Sequence, residues 1–198
     1  MADLMDGILS QLGSKAFGAL SSSLNTDEDK VKTATSMAVP LLVKALANNA
    51  TKSEKEAEAL SNALDKDHEG SIFDNVTDLL GSSKTTSMGQ GILKHVLGNK
   101  LGPAAQMIAN ASGMDTGSVT NLIAQIAPFV MGFIGKQKKE NGMDVSSLVS
   151  MLTGAGKEIE KKAPKEMNAF ASLLDKDGDG DIKDDLLDMG GSVLKNLF

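Results

Sequence analysis

The sequence contains no cysteine, no tryptophan and no tyrosine. The lack of cysteine excludes disulfides, thiolate metal ligands and cysteine nucleophiles. Only 3% of the residues are aromatic, all of them phenylalanine, so the aromatic platforms on which nucleic-acid bases stack are scarce. Acidic residues outnumber basic ones by 26 to 20, which gives a net charge of −6. Because phosphate binding needs the opposite sign, we expect no nucleic-acid partner.

Long apolar runs and export signals are also missing. The longest apolar stretch, 123–134, is interrupted by Gln125, Pro128 and Gly132 and is shorter than the roughly 20 residues that a membrane-spanning helix needs. The N-terminus carries acids where a secretory signal carries basic residues. The default expectation is a cytoplasmic protein without a membrane span; export by a route that reads other signals stays open.

What the sequence does contain is a helical pattern. Apolar residues recur at spacings of three and four along most of the chain, which predicts an all-α fold. Residues 26–29 are predicted to start one helix, with the hydroxyl of Thr26 as the cap and acids in the first turn, and residues 114–116 are predicted to start a second. The apolar stripes that follow are Val31, Ala34, Ala38, Leu41, Leu42 and Ala45 in the first helix, and Val119, Leu122, Ile126, Phe129, Val130 and Phe133 in the second. A further short amphipathic helix is predicted around 145–152, and the basic run 136–139 is interpreted as a helix C-terminus that complements the helix dipole.

Two self-alignments indicate an internal duplication. At an offset of 88 residues three pairs coincide, namely Asp27 with Asp115, Val31 with Val119 and Pro40 with Pro128. A proline far from the first turn should kink or break each helix. At an offset of 110, residues 56–81 match 166–191 with 11 identities in 26 positions. The prediction is two related helical repeats, 1–81 and 88–198, joined by a polar linker at 82–87, with each repeat ending in a helix–calcium loop–helix unit.

The stronger candidate metal ligands lie in the second repeat, in residues 175–185, called here the second acidic segment. Asp175, Asp177 and Asp179 occupy the first, third and fifth positions of an EF-hand-like calcium loop, Gly180 takes the turn, and the carbonyl of Asp181 supplies a backbone ligand. Position 12 is Leu186, so the closing carboxylate must come earlier. Asp185 is favoured, with Asp184 as the competitor. Six acids in eleven residues repel one another, which a bound cation would relieve.

Residues 65–75, called here the first acidic segment, repeat this pattern less strictly. The candidate ligands are Asp65, Asp67, Glu69, the carbonyl of Ser71 and Asp74. Ile72 repeats the apolar anchor that follows the turn. Fewer acids surround the ion here, so this segment either binds calcium weakly or is a degenerate copy that kept its backbone path.

The residues favour a calcium-binding, non-enzymatic protein with a structural or assembly role, in which the ion pins helix–loop–helix units. The alternative is a calcium-responsive interaction module, whose loops reposition a methionine-rich helix for a partner. Met37, Met131 and Met151 would then line a partner surface; otherwise the methionines fill the core. The partners would be calcium and either a second copy of the chain or another protein. An enzyme with a cleft around His95 is a third hypothesis, but no nucleophile, base and orienting group can be assembled, so we expect no enzyme.

Four motifs in a particular order suggest a family. They are 92–98, 112–115, 126–132 and the second acidic segment. In this order they resemble the YidB-like family of bacterial proteins of unknown function. The resemblance covers 88–198 and extends less strictly to 1–81. It implies a bacterial origin, an all-helical fold and an Asp-rich loop, with no established activity.

Overall fold

The computed structural model describes residues 4–67, 72, 73 and 76–162. The chain divides into two units between Ile159 and Glu160, and the fold given below is that of the first unit. The described residues form α-helices and short 3-10 turns, without a β-strand among them, so the predicted all-α class is confirmed. The helices are α1 (Leu4–Leu24), α2 (Glu28–Lys52), α3 (Glu54–Asp67), α4 (Val76–Leu79), α5 (Ser83–Val96), α6 (Leu101–Ser112), α7 (Thr116–Glu140) and α8 (Val145–Lys162).

Short polar side chains start several of these helices. The carboxylate of Asp27 accepts hydrogen bonds from the amides of Asp29 and Lys30 at the start of α2, and Asp115 accepts one from Ser118 at the start of α7. Both predicted starts are therefore confirmed, although the cap of α2 is the carboxylate of Asp27 rather than the hydroxyl of Thr26. Hydrogen bonds from the side chain and the amide of Ser118 lower the pKa of Asp115, because they favour the charged carboxylate.

The stretch predicted as a linker, 82–87, is largely helical. The hydroxyl of Ser82 accepts a hydrogen bond from the amide of Thr85 at 3.1 Å, so Ser82 caps α5 and the helix begins at Ser83. A polar sequence at the start of a helix resembles a linker, because its side chains satisfy the first amides instead of forming an apolar stripe. The division of the chain into halves at this point stays a prediction.

Helix α7 lies at the centre of the unit and contacts α1, α2, α3, α5 and α6. All six residues of its predicted stripe are buried. Burial extends to every side of the helix between Leu122 and Gly135, because neighbours surround it rather than covering one face. In α2 the predicted stripe is buried except for Ala45, which is half-buried.

Helix α7 is also long and apolar enough, by length and composition alone, to cross a membrane, and it is the one such helix among the described residues. However, 78% of its most apolar window is buried inside the fold. Its central position accounts for its apolar composition, since a helix enclosed by neighbours is hydrophobic all round.

Neither interior proline ends its helix. Pro40 lies within α2 and Pro128 within α7, and both helices continue for twelve further residues. Of the two expectations for these prolines, a kink or a break, the break is therefore wrong. Because proline has no N–H, Pro128 leaves the carbonyl of Ala124 without its usual helical donor. Gly89 of α5 packs on this carbonyl so closely that a Cβ on Gly89 would overlap its oxygen, so the site of the missing hydrogen bond is also the site of closest approach between α5 and α7.

Helices α2 and α7 match each other at the offset of 88 residues. Each is 25 residues long, each has an aspartate cap, and each carries its proline at the thirteenth position. The residues two before the two caps, Asn25 and Gly113, both have a positive φ, of 47° and 69°. The two helices are therefore both preceded by a residue with positive φ at the same distance from the cap.

The predicted short helix around 145–152 is confirmed as part of α8, which runs from Val145 to Lys162. Leu148 and Leu152 are fully buried. A Cβ built on Gly156 would lie 3.6 Å from Lys44 Cδ and 3.7 Å from Ala47 Cβ, so α8 lies along α2 at this point.

A buried glutamine joins α7 to two other parts of the fold. The side chain of Gln125 is 4% exposed, and its Oε1 accepts hydrogen bonds from the amide of Gly81 at 2.8 Å and from the hydroxyl of Ser23 at 3.1 Å. Gly81 has a φ of +82°, and a Cβ there would lie 2.8 Å from Cβ of Ser23. Gln125, which interrupts the apolar stretch of α7, thus accepts a hydrogen bond from the turn before α5.

A second buried polar residue, Thr35 on α2, has no hydrogen-bond partner for its hydroxyl and is fully buried. Replacing Thr35 by valine should stabilise the protein by about 1–2 kcal/mol, because it removes an unsatisfied buried hydroxyl and keeps the branched shape. Urea unfolding followed by circular dichroism measures the change. Thr120→Val is the control, since its hydroxyl donates to the carbonyl of Thr116 at 2.8 Å. An equal gain in both variants would contradict the interpretation.

Candidate functional site

The second acidic segment lies outside the described residues. This applies to all six of its predicted ligands, Asp175, Asp177, Asp179, Asp181, Asp184 and Asp185. In the first acidic segment, Glu69, Ser71 and Asp74 also lie outside them, as does the side chain of Asp67. The parts of the predicted sites that can be described are Asp65, the backbone of Asp67 and the pair Ile72 and Phe73.

Asp65 and Asp67 belong to the last turn of α3. The first acidic segment therefore begins inside a helix rather than in a loop. Leu64, beside Asp65, is 1% exposed and anchors this turn in the core. Asp65 itself pairs with a lysine of α7. The last turn of α3 is therefore held by a buried leucine and by an ion pair.

This lysine is Lys138, whose Nζ donates to both carboxylate oxygens of Asp65 at 2.5 and 2.6 Å. The two residues are 73 positions apart in the sequence. Only 10% of the Lys138 side chain is exposed, whereas 54% of the Asp65 side chain is. A charge-assisted pair that contacts both oxygens is among the stronger side-chain hydrogen bonds, so it fastens the end of α3 to α7.

Lys138 corrects the interpretation of the basic run 136–139. Lys138 and Lys139 do lie in the last turn of α7, but Lys138 serves as the buried partner of an acid on another helix. The position of Lys138 in the sequence indicates its burial. It lies four residues after the fully buried Ile134 and therefore on the same, apolar side of the helix. Its partner could not be inferred, because no local spacing links residues 65 and 138.

A cleft of about 300 Å³ adjoins the ion pair. It is lined by Leu64, Asp65, Gly135, Lys138, Lys139, Gly142 and Met143. Its polar groups are the charges of the ion pair and of Lys139. Within the described part of the chain, no three His, Cys, Asp or Glu side chains are grouped as ligands for a metal ion.

The downstream part of the first acidic segment is also held by α7. A Cβ built on Gly132 would lie 2.6 Å from Cγ2 of Ile72, so the absence of a side chain at Gly132 makes room for Ile72. The ring of Phe73 stands edge-on to Phe129 and Phe133, with centroids 6.0 and 6.4 Å apart. Ile72 is therefore the predicted anchor, although it is half-buried rather than enclosed.

His95 is exposed and lies within 2.8 Å of the carbonyl of Gly91 in its own helix, to which Nδ1 donates. It is thus occupied in a local hydrogen bond near the end of α5. Of the three methionines considered for a partner surface, Met131 is 4% exposed and belongs to the core. Met37 and Met151 are half-buried.

The family model of DUF937, described as bacterial protein of unknown function, matches residues 6–137. The chain belongs to this family. The match includes α1 to α6, most of α7 and the first acidic segment, and it ends one residue before Lys138. No curated protein matches the chain significantly, and no solved structure does so either. The family fits the predicted bacterial origin and assigns no activity.

Proposed function

We propose that this DUF937 protein is a calcium-binding, non-enzymatic helical protein with a structural or assembly role. In this proposal the second acidic segment binds Ca²⁺ as an EF-hand-like loop, and the ion holds the helices on either side of it in place. The order of the sequence motifs also supports a place among the YidB-like members.

The observation that carries the proposal is the way in which the first acidic segment is fastened. Its start is held through Asp65 by a cation, the ammonium of Lys138. Its later part is held through Ile72 and Phe73 on the apolar surface of α7. The first acidic segment is therefore held against α7 by one ion pair and by one set of apolar contacts.

The second acidic segment has residues of the same types at the corresponding positions. Ile182 repeats the anchor, and Asp175 repeats Asp65 at the offset of 110 residues. The matched lengths, caps and prolines of α2 and α7 support the duplication from which this correspondence follows. With Asp177, Asp179 and Asp184 or Asp185 nearby in the sequence, the charge is high enough to require a divalent cation, and carboxylates are ligands that Ca²⁺ prefers.

The test is a calorimetric calcium titration of the full chain and of the double variant Asp175→Ala, Asp177→Ala. We expect the wild-type chain to bind one calcium and the double variant none, because the first and third ligands of the loop are lost. Calcium at about 100 times its dissociation constant should also stabilise the wild-type chain by roughly 2.7 kcal/mol. The double variant should show no such gain in a thermal scan.

The matched control is Glu56→Ala, Glu58→Ala, which removes two exposed acids from α3. This control should titrate like the wild-type chain. The proposal fails if the wild-type chain binds no calcium at millimolar concentration, or if both double variants titrate alike. Calcium-induced binding of a hydrophobic dye would favour the calcium-responsive module over the structural role, because sensor proteins expose an apolar groove.

A further inference from the structure

We propose that Lys138 is the resident cation of the first acidic segment and excludes calcium from Asp65. The inference rests on the proposed function only in taking Ca²⁺ as the ion that such acids would otherwise bind. It assigns to a single lysine the difference between the two acidic segments: the first is held by a cation that belongs to the protein, and the second requires one from solution.

The geometry places the ammonium where a metal ion would stand. Nζ of Lys138 donates to both oxygens of Asp65, the same two oxygens through which a carboxylate binds Ca²⁺ in a bidentate manner. Both oxygens are engaged by the same nitrogen, so the side of the carboxylate that would bind an ion in a bidentate manner is taken. A divalent cation could bind there only after displacing the ammonium.

Burial makes such displacement unfavourable. The Lys138 side chain is 10% exposed, and it lies beside Leu64, Gly135 and Met143. If Ca²⁺ took its carboxylate, the largely buried ammonium would lose its partner, which is destabilising. Calcium would also have to approach against the positive charges of Lys138 and Lys139.

The lysine is specific to one repeat. Lys138 is the 23rd residue of α7, and the 23rd residue of α2 is Ala50, which is 4% exposed. The helix that matches α7 in the duplication therefore has no charge at this position. This asymmetry fits the sequences of the two acidic segments, since the one with fewer acids is the one that has the internal cation.

The experiment measures calcium binding by the first acidic segment in a chain whose second acidic segment has lost two of its predicted ligands. Calcium is titrated calorimetrically into the full-length variant Asp175→Ala, Asp177→Ala, with and without an additional Lys138→Met change. Methionine keeps an unbranched apolar side chain in the buried position and removes the charge. Lys136→Met in the same background is the control, because Lys136 pairs with Glu140 of its own helix, at 3.9 Å, and 37% of its side chain is exposed.

We expect no calcium binding with Lys138 present, one calcium per chain after Lys138→Met, and loss of that calcium when Asp65→Asn is added. Three outcomes would overturn the inference: no calcium bound after Lys138→Met in a chain that circular dichroism shows to be folded, Asp65-dependent binding while Lys138 is present, or the same gain with Lys136→Met. None of these depends on whether Asp175 and Asp177 bind calcium in the wild-type chain.

A second measurement tests the pair without calcium. In a double-mutant cycle with Asp65→Asn and Lys138→Met in chelator, we expect the effects on the unfolding equilibrium constant to differ from additivity by roughly tenfold, as for a charge-assisted pair. Additive effects would contradict the pairing itself.

Discussion

Replacing Gly89 by alanine should destabilise the protein by about 3 kcal/mol or more, because the added methyl group has no space. The Cβ would overlap the carbonyl oxygen of Ala124 in α7, and a backbone atom cannot rotate aside as a side chain can. Helices α5 and α7 would have to move apart along their whole contact. Urea unfolding followed by circular dichroism measures the loss, and a protein that no longer folds at 25 °C would agree with it.

Gly91→Ala is the matched control on the same helix. Gly91 has nothing within 4 Å of the place where its Cβ would stand, so alanine there should stabilise by about 0.5–1 kcal/mol through the lower entropy of the unfolded chain and better helix propensity. The same substitution at these two positions, two residues apart, should therefore change the stability of the protein in opposite directions. Equal effects at both positions would show that α5 does not approach α7 through Gly89.

Replacing Phe129 by alanine should cost about 3–5 kcal/mol, the usual range for deleting a buried phenylalanine. Phe129 is fully buried and heads the set of largest enclosed side chains. It also faces the ring of Phe73, so its loss should loosen the first acidic segment as well as the core. Chemical unfolding gives the free energy, and limited proteolysis shows which peptide bonds become accessible.

Phe129→Leu controls for size, since a shorter apolar side chain of related volume should cost under about 1.5 kcal/mol. A cycle that combines Phe129→Ala with Phe73→Ala should show a coupling of about 0.5–1.5 kcal/mol, as for other edge-to-face pairs. A loss below about 1 kcal/mol for Phe129→Ala, judged against the range for buried rings, would be incompatible with a closed core around α7.

Features that depend on neighbours along the chain could be predicted from the sequence. Helices α2 and α7 start where the sequence predicts them, because a cap needs only the amides two or three residues away. The stripe of α7 was found because helical periodicity is local. By contrast, the prolines do not break their helices, since packing on both sides outweighs one missing hydrogen bond.

Features that depend on tertiary contact could not be predicted. Nothing near Lys138 in the sequence indicates Asp65, and nothing near Gly89 indicates the carbonyl of Ala124. The same holds for Gln125, which in the sequence only interrupts an apolar stretch and in the fold accepts hydrogen bonds from Gly81 and Ser23. For the candidate site, the acids were visible in the sequence, whereas the cation that holds the first of them was not.

The central position of α7 has a consequence for the newly synthesised chain. Helices α1, α2 and α3 all contact α7, yet the ribosome makes them at least 48 residues before α7 begins. Helices α1 and α3 also pack on α2, but the parts of all three helices that contact α7 must stay exposed until residues 116–140 emerge, because domains fold as units once their core residues are available. A ribosome-bound chain stalled before α7 should therefore be a chaperone substrate, and release of the chaperone should coincide with the appearance of α7.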